Sequence, residues 1–299
     1  MDKNENRRMI FSKDAIENSK PLSEPKCAIR QGCNPYKIDI KGAFAHATIS
    51  NEVKNCPACF GLGRIVEDNE SKACQTPPLS KVVNNFNVAE IPAKYFEASV
   101  EKFSNFSGNG KQVLKQINQW KDQFQPLKSK GLVVTGPVGV GKSYLMACLA
   151  KYFVEKGYSV KCADFFQLLS DLRAGYSNGQ SEATLLAPLI KVDILLIDEL
   201  GKGRNKDFEL TILDQLVSER YKQNKSIVAS TNYQLSSKGG AHNFNYDLDS
   251  AYGGGSDFSP DTFGELQARV GSRIFSRLKE MTHFVELSGT DMREGFSKT

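Results

Sequence analysis

From Gly131 onward the chain alternates between short apolar runs and amphipathic stretches. Leu132–Thr135, Ser159–Ala163, Asp193–Ile197, Ile227–Ser230 and His283–Leu287 are strand-sized and mostly apolar, as buried strands are. Between them, apolar residues recur at helical spacing. Leu145, Leu149, Tyr152 and Phe153 mark one face of a helix over Ser143–Lys156, and Phe165–Leu172 reads as another. Ile212, Leu213, Leu216 and Val217 mark a helix over Phe208–Gln223, and a last helix is expected from about Phe263 to Glu280. Strands alternating with helices predict an α/β fold, a parallel sheet flanked by helices on both faces. Ahead of it, Val113, Leu114, Ile117, Trp120 and Phe124 predict one more helix.

The punctuation divides the chain. Residues 1–26 are polar and charged and are expected to be a flexible arm. Residues 27–76 hold five cysteines and form a small Cys-rich unit. The paired prolines of Gln75-Thr-Pro-Pro-Leu-Ser80 open a linker and approach segment over 77–110, and the α/β domain is expected over 111–299. Within it, residues 236–260 are glycine-rich with few aliphatics and read as a flexible insert.

Composition narrows the class. Of 299 residues, 40% are hydrophobic and 24% charged, which argues against a disordered chain. No apolar run reaches membrane-spanning length, and the first residues lack the apolar core of a secretion signal, so a cytoplasmic home without membrane contact is expected. The net charge of +5 permits a nucleic-acid partner without demanding one. Seven cysteines, an odd number, point to metal ligation or burial rather than a disulfide framework.

The chemistry starts where the first core strand ends. Gly136-Pro137-Val138-Gly139-Val140-Gly141-Lys142-Ser143 fits the phosphate-binding loop pattern, with a strand before it and a helix after it. Glycines let backbone N–H groups turn around phosphate oxygens, and the helix N-terminus adds positive potential. Lys142 is placed to reach the β- and γ-phosphates of ATP, and Ser143 to put its hydroxyl on Mg²⁺. The apolar strand ending in Asp198 and Glu199 sets two acids at the carboxyl edge of the sheet. Asp198 is the candidate for the Mg²⁺ shell and Glu199 for orienting the attacking water. Asn232, closing Ser230-Thr-Asn232, is the candidate to hold that water near the γ-phosphate.

Arg269, Arg273 and Arg277 recur at i, i+4, i+8 beside an apolar stripe of Leu266, Val270, Ile274 and Leu278. They read either as a solvated basic face or as an arginine offered to a neighbouring subunit, worth about 10³–10⁵ in phosphoryl-transfer rate. Lys202, Arg204 and Lys206 form a basic loop, read first as exposed surface and second as a phosphate contact.

Together the loop at 136–143, Asp193–Gly201, Ser230–Asn232 and Arg269–Leu278 resemble the AAA+ ATPases of the DnaC/DnaI helicase-loader and IstB group. The approach segment Ile91–Phe103 and the closing Gly289-Thr-Asp-Met-Arg293 are similar to motifs of that group. The likeness spans about 91–293. It implies Arg277 as an arginine finger with Arg273 beside it, and Arg293 as a sensor arginine acting in cis on the nucleotide. The insert at 236–260 departs from the pattern.

Cys56-Pro-Ala-Cys59 can turn two thiolates toward one Zn²⁺, and Cys74 is the natural third ligand. Cys33, Cys27 and His46 compete for the fourth place, with Cys33 preferred. A redox role is disfavoured, because no thioredoxin-like βαβ pattern surrounds the pair. Cys148 and Cys162 fall in the α/β core and read as small buried hydrophobes. Some helicase loaders resemble this arrangement, with an N-terminal zinc unit that grips the helicase. The resemblance therefore implies an ATPase that loads a replicative hexameric helicase onto single-stranded DNA and associates with copies of itself. The alternatives are an IstB-like transposition helper and a zinc-dependent adaptor whose ATP site is only a switch.

Overall fold

The computed structural model describes residues 35–59, 64–67, 70–73, 79–100, 102–103, 108–203, 207–235 and 265–292. The arm 1–26, Cys27, Cys33, Cys74, Arg204, Lys206, the insert 236–260 and Arg293 lie outside the described residues.

An antiparallel hairpin comes first, β1 (Tyr36–Lys41) paired with β2 (Phe44–Ile49). A one-turn helix α1 (Asn51–Lys54) follows, then a second hairpin of β3 (Arg64–Glu67) and β4 (Glu70–Ala73). Helix α2 (Leu79–Ala89) occupies what the paired prolines mark as linker. Leu79, Val82, Phe86 and Ala89 are buried at helical spacing, and Asn87 holds both backbone groups of Ala47 on β2, at 2.7 and 3.1 Å. Asn85 donates to the carbonyls of Gly157 and Tyr158 at 3.2 and 3.0 Å. The first hairpin and α2 thus share one core with the α/β sheet rather than standing apart from it.

Helix α3 (Gly110–Gln123) buries Val113, Ile117 and Trp120, and the Trp120 indole donates to the carbonyl of Lys130 at 2.9 Å. The sheet follows, made of β5 (Gly131–Thr135), β6 (Val160–Asp164), β7 (Ile194–Asp198), β8 (Ser226–Thr231) and β9 (Thr282–Glu286). All pairs are parallel, in the order β6-β7-β8-β5-β9. Helices α4 (Lys142–Glu155), α5 (Phe165–Ser177), α6 (Glu182–Lys191) and α7 (Asp207–Lys222) are the crossovers. Alternate residues feed opposite faces. Leu132, Val134, Leu196 and Val228 pack with α2, α3 and α4, while Val133, Leu195, Ile197 and Ala229 pack beneath α6, α7 and the last helices. Each such fully buried aliphatic side chain stabilises the fold by about 1.5–3 kcal/mol.

Two helices depart from the pattern in the sequence. Helix α6 contains Pro188, which hides it from propensity. It is rescued by the Ser181 hydroxyl accepting from the Thr184 amide at 3.2 Å and by burial of Leu186 and Leu189. The helix expected as one piece from 263 to 280 is broken in two, α8 (Leu266–Val270) and α9 (Ser272–Met281). The break is Gly271, whose φ of +83° lies in the region that favours glycine.

Candidate nucleotide site

The first strand of the site, β5, ends on the buried Thr135, and residues 136–141 form the loop that leads into α4. The loop is shaped by positive φ at Gly136, Gly139 and Gly141, which only glycine adopts without strain. A Cβ at Gly139 would overlap the Asp291 carboxylate, and the Met292 amide donates to the Gly139 carbonyl at 3.2 Å. The closing segment of the chain therefore backs the loop. The N-cap of α4 is Gly141, which provides no side-chain cap, so the first-turn amides are offered to an anion. Lys142 is buried, and its ammonium donates to the carbonyls of Gly136 and Pro137 at 2.7 and 2.6 Å. Glycine conformation, an uncapped helix start and an inward ammonium fit a polyphosphate. Ser143 follows Lys142 at the start of α4.

On the other side of β8, Asp198 ends β7. Ser143 and Asp198 both line one cavity of about 410 Å³, with Met146, Cys162, Asp164 and Leu168 around it. A hydroxyl and a carboxylate converging there are a donor set suited to Mg²⁺. Burial pushes the Cys162 thiol in that wall up to about 12, which keeps it protonated and unreactive. Ser230 organises the acids: its hydroxyl donates to Asp198 Oδ1 and accepts from the Glu199 amide at 3.2 Å. Glu199 itself sits at φ +57°, a left-handed conformation uncommon for a non-glycine residue. Asn232 is the first residue past β8, half-buried, on the same edge.

The loop after Glu199 is held from several directions. Leu200 is fully buried, its amide donates to the Ser230 carbonyl at 2.8 Å, and its carbonyl accepts from the Thr231 hydroxyl at 2.8 Å. Arg269 donates to the Gly201 carbonyl through Nε and Nη2, at 3.2 and 3.1 Å, and to the Gly203 carbonyl through Nη2. Its guanidinium also lies 5.0 Å from the Tyr233 ring centroid. Lys202 forms an ion pair with Glu199 Oε2, and that hydrogen bond holds the Lys202 pKa above its usual value.

Of the three arginines expected to share one face, Arg269 is thus separated by the break at Gly271 and committed to the acidic loop. Arg277 is partly buried; its Nη1 donates to Asp214 Oδ1 at 2.8 Å and to the Ser218 hydroxyl, both on α7. Arg273 is the exposed member, with Nε 3.5 Å from the same Asp214 oxygen.

The approach segment lies against α4. The Tyr144 hydroxyl accepts from the Ser99 amide at 3.1 Å and donates to the Ser99 carbonyl at 3.3 Å, and Lys151 donates to the carbonyls of Phe96 and Ala98. Cys56 and Cys59 are buried just beyond α1, and His46 lies on β2 opposite Asp39. Among the described residues, no three His, Cys, Asp or Glu side chains gather as a metal site would require.

The structure brings residues 136–143, Asp198, Glu199 and Asn232 to the carboxyl ends of three adjacent strands, and leaves Arg277 on the flank. Sequence reading missed Ser230, Thr231, Arg269 and Lys202 as parts of this site. Ser230, Thr231 and Arg269 act through hydrogen bonds across strands and from a helix remote in sequence, for which spacing carries no signal, and Lys202 acts through a local ion pair with Glu199.

Comparison with known proteins places the chain among named relatives. A protein of Buchnera aphidicola subsp. Schizaphis graminum, named replicative helicase loader DnaC, is 24% identical over 166 residues, covering 55% of this chain and 66% of the relative. The Escherichia coli K12 protein of the same name is 26% identical over 156 residues, covering 52% of this chain and 63% of the relative. The matched stretch spans just under two thirds of each of these relatives. A crystal structure of the DnaC helicase loader shares the fold, with a TM-score of 0.53 at 23% identity, over 66% of this chain and 99% of that one. The family model described as IstB-like ATP binding protein matches residues 75–241, more than half of the sequence, and the chain belongs to that family.

Proposed function

We propose that this protein is a Mg²⁺-dependent ATPase that loads a replicative hexameric helicase onto single-stranded DNA. The observation that carries the reading is the meeting of the loop at 136–143, Asp198 and Glu199 on one edge of a parallel sheet. Similarity to proteins named replicative helicase loader supports the choice of partner.

The chain's own residues divide the work. The loop amides and the start of α4 hold the phosphates, and Lys142 exchanges its two carbonyl acceptors for phosphate oxygens. Ser143 and Asp198 would hold Mg²⁺, which when bound neutralises phosphate charge. Ser230 keeps the Asp198 carboxylate oriented. Glu199 accepts a proton from the attacking water as its oxygen bonds to phosphorus and the bridging oxygen leaves with ADP. Asn232 positions that water, Arg293 would contact the nucleotide in cis, and Arg277 stabilises transition-state charge on a neighbouring copy. Copies of the chain therefore associate through the ATPase domain. Cys56, Cys59, Cys74 and Cys33 would hold Zn²⁺ in a unit over 27–76 that binds the helicase. The protein acts in the cytoplasm; among the described residues no helix is long and apolar enough to cross a membrane.

The test is ATP turnover by the full chain, alone, with single-stranded DNA, and with DNA plus a hexameric helicase. Slow turnover alone and stimulated turnover with both is expected. Failure to bind ATP overturns the reading. The IstB-like family match favours a second reading, a transposition helper acting on duplex DNA. Pull-down of a transposase in place of the helicase would establish it.

A further inference from the structure

Basic groups gather at the end of the sheet opposite the nucleotide loop. The turn before β5 and the ends of α7 and α9 enclose a notch of about 140 Å³, lined by Lys128, Ser129, Lys130, Lys225, Tyr221 and Glu280 among others. The backbone under the lysines is fixed. The Lys128 and Ser129 amides donate to the Gln125 carbonyl at 3.2 and 2.9 Å, and the Ser226 hydroxyl donates to the Ser129 carbonyl at 3.0 Å. Gly131 opens β5 so close to β8 that a Cβ there would overlap the Ile227 carbonyl. Leu127 and Asn224, one on each side of the notch, take φ of +62° and +52°. Such strain in non-glycine residues persists only where the surroundings over-determine it, and it clusters at functional sites.

The positive charge here is not matched. Buried Arg220 donates to the Ser226 carbonyl at 2.7 Å, and Lys225 donates to the carbonyls of Ile190 and Lys191. Among the described residues, Lys128, Lys130, Arg220 and Lys225 form no ion pair. Burial, and then the charge of Arg220, draws the Lys225 pKa down, as happens where cations crowd. The nearby Asp193 carboxylate is spent on the amide and hydroxyl of Ser159, at 2.9 and 2.7 Å. Exposed Glu280 accepts from the Tyr221 hydroxyl at 2.8 Å and sets one negative charge against the three lysines. The carbonyls ending α6 account for Arg220 and Lys225. They do not account for Lys128 and Lys130, whose ammonium groups have no acceptor among the described residues.

We propose that this notch holds one backbone phosphate of a nucleic acid strand, with Lys128 and Lys130 as its contacts. Small-molecule pockets run to about 300–1,000 Å³, so a notch this size takes a single anionic group and leaves the rest of its ligand outside. Lysine is depleted at protein interfaces and enriched where a phosphate backbone is met. No exposed arginine fork lines the notch to grip a planar carboxylate, whereas ammonium point charges suit phosphate oxygens. The five residues of β5 separate the notch from the loop at 136–143, on the order of 15 Å. A strand and ATP can therefore be held at once, and the proposal stands independently of the ATP reading.

The test follows labelled oligothymidine by fluorescence anisotropy over a range of salt, with the full chain as wild type and three double variants. Lys128→Gln with Lys130→Gln is expected to bind about tenfold more weakly, as two exposed charge contacts allow. Its salt dependence should be shallower by about 1.4 in logarithmic slope, with ATP affinity and melting temperature unchanged. Lys128→Arg with Lys130→Arg keeps both charges and should bind as wild type does. Lys111→Gln with Lys115→Gln removes the same charge from the exposed face of α3 and should bind within about twofold of wild type. Unchanged affinity and slope in the first variant overturn the proposal, and so does an equal loss in the α3 variant, which would make net charge the cause. Inorganic polyphosphate should displace the oligonucleotide where polyglutamate does not. Equal displacement by polyglutamate overturns the choice of phosphate, and tighter binding of polyphosphate than of oligothymidine, per phosphate, overturns the choice of nucleic acid.

Discussion

The Arg277 guanidinium donates through Nη1 to Asp214 Oδ1 at 2.8 Å, joining α9 to α7 within one molecule. The side chain assigned to serve a neighbouring copy is therefore also a strut in its own. Arg277→Ala is expected to leave ATP affinity intact and to cut helicase- and DNA-stimulated turnover about a thousandfold. Asp214→Ala breaks the same strut but keeps the arginine, and should retain stimulated turnover to within about tenfold. Thermal melting checks that both lose similar stability. Full stimulated activity in Arg277→Ala would make this arginine a strut and nothing more.

Lys142→Ala removes the only side chain that reaches the loop carbonyls from α4 among the described residues. Charge-assisted hydrogen bonds are worth about 1.5–3 kcal/mol, so the dissociation constant for ATP should rise about 10- to 100-fold. Calorimetric titration reads this directly, and unchanged affinity would defeat the site assignment.

Ser230→Ala deprives the Asp198 carboxylate of a donor and the Glu199 amide of an acceptor in one step. Because Ser230 is placed behind the acids rather than on the nucleotide, kcat should fall about tenfold or more while KM for ATP stays within about threefold. A change confined to KM would place Ser230 in direct contact with ATP instead.

Stability should respond most sharply at Arg220, which is fully buried and donates to the carbonyls of Leu189, Ile190, Val192, Asp193 and Ser226. Burial draws its pKa down to about 9, yet at neutral pH it remains charged. Arg220→Met keeps volume but strands those carbonyls, in the last turn of α6, just after it and at the start of β8, and should cost about 3 kcal/mol or more in urea unfolding. A loss below about 1 kcal/mol would mean water replaces the guanidinium.

His283, on β9, is kept below its ordinary pKa by burial and then by the charge of Lys130. The unfolded chain therefore takes up a proton at higher pH than the folded one. The stability this histidine contributes is present above about pH 6.5 and is lost as pH falls toward the lower folded value. The melting temperature of wild type should drop between neutral pH and mildly acidic pH more than that of His283→Gln. Parallel curves for the two proteins would assign the acid sensitivity elsewhere.

The parts of this molecule that were legible in advance are those in which backbone geometry restricts residue type. Three positive φ angles and a helix start with no side-chain cap leave little choice at residues 136–143, and a buried strand ending in Asp198 and Glu199 is equally constrained. The first hairpin was obscured by the cysteines around it, although Tyr36, Ile38 and Ile40 alternate with polar residues as a strand requires. Helix α2 was concealed by the prolines before it, and α6 by Pro188. Arg269 was misgrouped because a regular spacing presumes one continuous helix, and a single glycine ended that continuity. Asp214 and Ser218, which meet Arg277 from a different helix, belong to tertiary packing alone.

Gln234 and Glu265 form a parallel bridge, and the Leu266 amide donates to the Gln234 carbonyl at 2.8 Å. The two ends of everything between them are therefore pinned side by side. Closure entropy grows only slowly with the length of what is closed, so this junction works like the neck of a drawstring bag. Evolution, or a protein engineer, can lengthen, shorten or exchange the contents while the catalytic sheet beneath the neck keeps its shape.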